Sequence, residues 1–102
     1  MIEPKKVPIL SADDICRNTY WNDRGQKCLS QWVTTCGGNF DFRNALARKL
    51  LVNLRIAGLE PRTTSPSIPT INDHGRNSKQ KLAAVWNRTV KELGFTEPCD
   101  RD

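Results

Sequence analysis

The chain has 102 residues, 37% of them hydrophobic, with three tryptophans and a formal net charge of +5. That length suits one domain, residues 1–102, with a single core, and the composition excludes a disordered polyelectrolyte. No apolar run approaches the about 18 residues of a membrane helix, and the opening MIEPKKVPIL is too short and too proline-broken for a signal peptide. The expectation is a cytoplasmic protein with no membrane partner.

Charge is spread unevenly. Residues 1–41 carry five basic and five acidic groups, residues 42–91 carry ten and two, and residues 92–102 carry one and four. A block of net +8 followed by one of net −3 points to an anionic partner, or to internal screening of the block by the acidic end. Cys16, Cys28, Cys36 and Cys99 show no zinc-knuckle spacing. Without a secretion signal they read as reduced, mostly buried thiols.

In chain order, Pro4 and Pro8 make residues 1–10 an extended arm, with Ile2, Val7, Ile9 and Leu10 available to dock it on the core. Ser11 opens a first helix, with Asp14 completing a capping box and two aspartates at the positive end of the dipole. Ile15, Cys16 and Thr19 form its inner side. Tyr20 and Trp21 follow, and the turn Asn22-Asp23-Arg24-Gly25 ends it. A second helix runs from about Lys27 to Cys36 on the spacing of Cys28, Leu29, Trp32, Val33 and Cys36, and Gly37-Gly38 stops it.

Asn39 or Asp41 caps a third helix from about Phe42 to Ala57. Phe42, Ala45, Leu46, Leu50, Leu54 and Ala57 line one face, and Leu51, Val52 and Ile56 widen the apolar surface. Gly58 closes it, with Leu59 as the following hydrophobe. Leu50-Leu51-Val52 also fits a buried strand, but the Ala, Arg, Lys and Leu content favours helix. Residues 59–77 hold three prolines and several Ser and Thr, which predicts an irregular connection pinned by Ile68 and Ile71.

The closing helix is the most sharply written. Leu82, Val85, Trp86, Thr89, Val90 and Leu93 share one side, Asn77 or Ser78 caps the start, and Gly94 with Phe95 closes the end. Were Asn77 the cap, Gln80 would complete a capping box. The acidic end, residues 98–102, is expected to fray. The predicted fold is all-α: four helices in a small single domain, with a long irregular loop before the last helix.

Two motifs carry a resemblance: Lys27-Cys28-Leu29-x-x-Trp32, and Ile71-Asn72-Asp73 followed by a cap and a helix ending Leu93-Gly94-Phe95-Thr96-Glu97. Over about residues 27–97 the chain resembles a group of small uncharacterised bacterial and phage helical proteins with a closing Asn-Asp-turn-helix. It departs from that group in having Gln31 where a small residue often precedes the Trp. The resemblance implies a small helical domain without assigned chemistry, and a phage or mobile-element setting in which the compartment is the interior of a host cell.

Three groups of residues bear on chemistry. His74, the single histidine, adjoins Asn72 and Asp73. Asp73 and His74 suit an acid–base pair or half a metal site, but Asn-Asp before His-Gly also makes a turn, and two ligands fall short of a structural zinc site. There is no Gly-x-Ser-x-Gly, glycine-rich phosphate loop or His-Glu-x-x-His. The expectation is therefore a non-enzyme with no cofactor and no metal, a small hydrolase or metalloenzyme at Asp73 and His74 being the third choice. The basic block offers Arg48, Arg55, Arg62, Arg76, Lys81, Arg88 and Lys91 as a binding surface, against the plainer reading that helices keep charges on their wet faces. Trp32 and Trp86 fall on apolar faces. Trp21 also has the core as its default place, yet beside Tyr20 it is the best candidate for an exposed aromatic anchor. The function expected first is a phage-type accessory protein that binds a host protein or complex and modulates or inhibits it. The alternative is direct DNA or RNA binding by the same basic face.

Overall fold

A computed structural model describes residues 7–35, 40–61 and 66–93. Among these the elements are a single 3-10 turn at Ala12–Asp14 and four α-helices: α1 (Leu29–Thr35), α2 (Phe40–Ile56), α3 (Ile68–Asp73) and α4 (Lys79–Glu92). The all-α, four-helix expectation therefore stands, but the four are not the four foreseen.

The helix expected from Ser11 is only a turn. Its cap forms as read: the Ser11 amide donates to Asp14 Oδ2 at 2.8 Å and the hydroxyl to the same oxygen at 3.1 Å. Ile15 then turns extended and pairs with Lys27, the Lys27 N–H donating to Asp14 O and the Cys16 N–H to Lys27 O. Ile15, Asn18, Thr19 and Asn22 are all weak helix formers, so a tertiary alternative for the backbone prevails. Asn18 sits at φ +63°, and its amide donates to Asp73 Oδ1 at 2.9 Å.

The connection before the last helix is also not wholly irregular. Ser67 caps α3, its Oγ accepting the Thr70 N–H, and Pro69 occupies the first turn, where a missing amide costs nothing. Ile71 and Asn72 are the buried side of this short helix.

The two long helices follow the sequence closely. Phe42, Leu46, Leu50 and Leu54 recur every four residues and are all buried. Past Ile56, Gly58 takes φ +75°, with Gly58 N–H to Arg55 O and Leu59 N–H to Leu54 O, and Leu59 is buried. That pair of bonds is the glycine-closed helix end foreseen at Gly58. The wide apolar surface is corrected: Ala45, Val52, Ile56 and Ala57 are exposed, because a helix packed on one side buries only a stripe.

On α4, Leu82, Val85, Trp86, Thr89 and Val90 are buried as expected, and Ser78 is the cap, its Oγ accepting the Lys81 N–H. The closure at Gly94 and Phe95 lies outside the described residues, as do Ile2, Cys36, Gly37-Gly38 and Cys99.

Helix α4 packs along α2, and α1 meets α2 and α3. The α2–α4 seam holds a polar thread: Asn53 Nδ2 donates to Thr89 Oγ1 at 2.9 Å and to Glu92 Oε1 at 2.8 Å. The arm docks on α4 through buried Val7 and Leu10, while Ile9 faces out. Trp86 Nε1 donates to Pro8 O at 2.7 Å, and the Asn87 amide brackets Leu10, accepting from its N–H and donating to its C=O at 2.8 Å each.

Candidate functional surface

The segment between the 3-10 turn and α1 is a tied loop, and it presents two exposed aromatics, Tyr20 and Trp21. The Cys28 N–H donates to Tyr20 O at 3.0 Å, Trp21 bridges to Lys27, and Thr19 Oγ1 donates to Trp21 O. Asn22 Oδ1 accepts the amides of Arg24 and Gln26, while its Nδ2 donates to Gln26 Oε1 at 2.8 Å. Gly25 at φ +79° completes the reversal. With the backbone so held, Tyr20 is 61% and Trp21 62% exposed. Trp21 is therefore not in the core, because the helix that would have turned it inward does not form. Trp32 and Trp86 are in the core: Trp32 Nε1 donates to Asp14 O at 2.9 Å, and Lys27 Nζ stands 4.5 Å from the Trp32 ring centre.

The basic residues divide among separate elements. Arg48 and Arg55, seven residues apart, share the outer side of α2, and Lys81, Arg88 and Lys91 share the outer side of α4; all five are exposed. Arg76 is exposed in the turn before α4, and Arg62 lies outside the described residues. Among the described residues one carboxylate, that of Glu92, partly neutralises this set. Glu92 accepts from Arg88 Nε at 3.3 Å and lies 3.9 Å from Lys49 Nζ. The Asn53 hydrogen bond, then Arg88 and Lys49, hold its carboxyl below the ordinary 4.5. Among the described residues, Arg48, Arg55, Arg76, Lys81 and Lys91 share no ion pair with a carboxylate. The described basic residues are thus divided between α2, α4 and the turn before α4, and among the described residues only Arg88 of this set meets a carboxylate.

Asp73 and His74 are brought together by sequence only. Asp73 Oδ1 accepts from the Asn18 amide and from Asn72 Nδ2, and His74 Nδ1 accepts the Arg76 N–H at 3.2 Å. Both side chains serve the turn. Cys28 and Asp73 line a cavity of about 220 Å³ with Asn18, Thr19, Tyr20 and Pro69. Burial raises the Cys28 thiol, and burial followed by the neighbouring Cys28 raises that of Cys16, so both favour the inert protonated form. Among the described residues no three of His, Cys, Asp and Glu gather as metal ligands.

The residues missed at the sequence level are the asparagines. Asn72 is fully buried; its Oδ1 accepts the Leu29 N–H at 3.0 Å and its Nδ2 donates to Cys16 O at 2.9 Å. Asn77 does not cap α4 but clamps Glu60, accepting its N–H at 2.9 Å and donating to its C=O and to Ile71 O. Both sit within three residues of a turn, which hides a long-range role behind a local one. Compared with known protein families, curated proteins and solved structures, the chain matches none.

Proposed function

We propose that the chain is a non-catalytic binding protein that docks on a host protein or complex and changes that partner's behaviour, with Trp21 as its anchor. The observation that carries this reading is the pair Tyr20 and Trp21, both more than half exposed on a loop whose backbone is already hydrogen-bonded. Large rigid aromatics concentrate binding energy at protein interfaces, and a pre-ordered loop avoids the entropy of ordering it on contact. Arg48, Arg55, Arg76, Lys81 and Lys91, exposed on other elements, give the molecule a positive field that speeds encounter with an acidic partner. The resemblance to small phage and bacterial helical proteins supports a host factor as the partner and the host cell interior as the place. Affinity capture from a host lysate, repeated after nuclease treatment, tests it: a partner retained after nuclease supports the reading, and one lost with the nucleic acid ends it.

A second reading, direct DNA or RNA binding, is favoured by one observation: those same five cations lack carboxylate partners among the described residues. Such a protein shifts a labelled duplex or single strand, and its affinity falls steeply as salt rises.

A further inference from the structure

The outer side of α2 carries a second unpartnered surface, separate from the Trp21 loop. Ala45, Val52 and Ile56 are exposed along one edge of the helix, Val52 at 48% and Ile56 at 65%, and Arg48 and Arg55 are exposed along the adjacent edge. At 100° per residue these five positions fall within about a quarter to a third of the helix circumference. The row from Ala45 to Ile56 is about 16 Å long, three turns of a facing helix. Two β-branched aliphatics one turn apart, exposed beside two guanidiniums with no carboxylate partner among the described residues, are an apolar row with a cationic border. Asp41, in the first turn, is the one acid on this side of the helix.

We infer that this side of α2 receives an amphipathic helix of another protein, apolar along its centre and acidic along the edge that meets Arg48 and Arg55. Charge complementarity selects that occupant. A second copy laid antiparallel so that Val52 meets Val52 sets Ile56 against Arg48 and Arg55 against Lys49, so that register lacks the charge match an acidic helix supplies. An acidic helix instead buries Val52 and Ile56 and gives each arginine a carboxylate. The inference deepens the protein-binding reading and rests on it, naming the chemistry of the partner at a surface other than the Trp21 loop.

The test uses the full chain and two synthetic helical peptides with the same leucine row at i, i+4, i+7 and i+11. One is bordered by glutamates, the other by lysines. Amide shifts in a ¹⁵N-labelled sample report the site and the affinity. The glutamate peptide is expected to move the amides of residues 45–56 saturably and to bind at least about tenfold more tightly than the lysine peptide, the size of two modest ion pairs together. Val52→Asp, at an exposed position, is expected to weaken it by about tenfold or more, and the Arg48→Glu/Arg55→Glu double variant to reverse the preference between peptides. Equal binding of the two peptides, shifts confined to other elements, or self-association that Val52→Asp abolishes would each overturn the inference. Trp21→Ala leaves the peptide titration unchanged. Failure of the peptide with Trp21-dependent capture intact therefore removes this inference alone, and loss of Trp21-dependent capture removes the broader reading.

Discussion

Asn72 caps a helix that begins 43 residues before it: its Oδ1 accepts the Leu29 N–H at 3.0 Å. At the start of α1 the Cys28 Sγ accepts the Gln31 N–H at 3.4 Å, and the first amide, that of Leu29, is satisfied from α3 by Asn72. The same side chain donates to Cys16 O, which ties the tail of the 3-10 segment to both helices. Removing it strands a buried N–H and a buried C=O. Asn72→Ala is expected to cost about 3 kcal/mol in urea unfolding. Asn72→Asp is expected to cost more, because its second oxygen would face the Cys16 carbonyl.

The arm depends on α4 in a comparable way. Trp86→Phe keeps most of the buried ring but loses the bond to Pro8 O, and is expected to cost about 1–2 kcal/mol. Asn87→Ala releases Leu10 at both its N–H and its C=O. Hydrogen exchange at the Leu10 amide checks both. The Asn87 variant is expected to exchange fastest, since it removes that amide's own acceptor.

Glu92 sets an acid limit. Its folded-state pKa is depressed by Asn53 first, then Arg88 and Lys49. A depressed carboxylate contributes stability that is fully present above its unfolded pKa and is lost as pH falls through the folded one. Stability is expected to be level above about pH 5 on this account and to drop on acidification below about 4.5. In Glu92→Gln that part of the drop is expected to vanish. Unfolding curves between pH 3 and 7 for the two proteins make the comparison.

The thiols give the opposite sign. Burial raises Cys16 and Cys28, so the folded state holds its protons longer than the unfolded chain. Stability from these groups is present below the unfolded thiol pKa and declines as pH rises past it. Reaction of Cys16 and Cys28 with a thiol reagent at pH 8 is expected to be slow in the native protein and fast in denaturant, followed site by site by mass spectrometry after digestion.

Legibility in the sequence tracks how local the deciding physics is. Helices α2 and α4 are readable because Phe42-Leu46-Leu50-Leu54 and Leu82-Trp86-Val90 each repeat at the helical period, and because Gly58 closes α2 and Ser78 opens α4 by local rules. The segment after Ser11 carries a real helix cap, but its backbone partners, Lys27 and Asp73, are distant in sequence and no local pattern announces them. Helix α3 was hidden behind its prolines, although Ser67 two residues before Pro69 is a helix-start signal in its own right. The core is the default place for Trp21 in the sequence, and the structure instead leaves it exposed. Its exposure follows from the missing helix, which no local pattern announces. Val52 and Ile56 looked like core because composition cannot show that α2 packs on one side only.

Binding through Trp21 is tested most directly by comparing wild type with Trp21→Ala. The side chain stands 62% exposed, so the variant is expected to unfold within about 0.5 kcal/mol of wild type. Binding of the captured host protein, measured by calorimetry in nuclease-treated samples, is expected to weaken by at least about 30-fold, the effect of a hot-spot aromatic worth about 2 kcal/mol. Unchanged affinity in a correctly folded Trp21→Ala protein would contradict the assignment of Trp21 as the anchor.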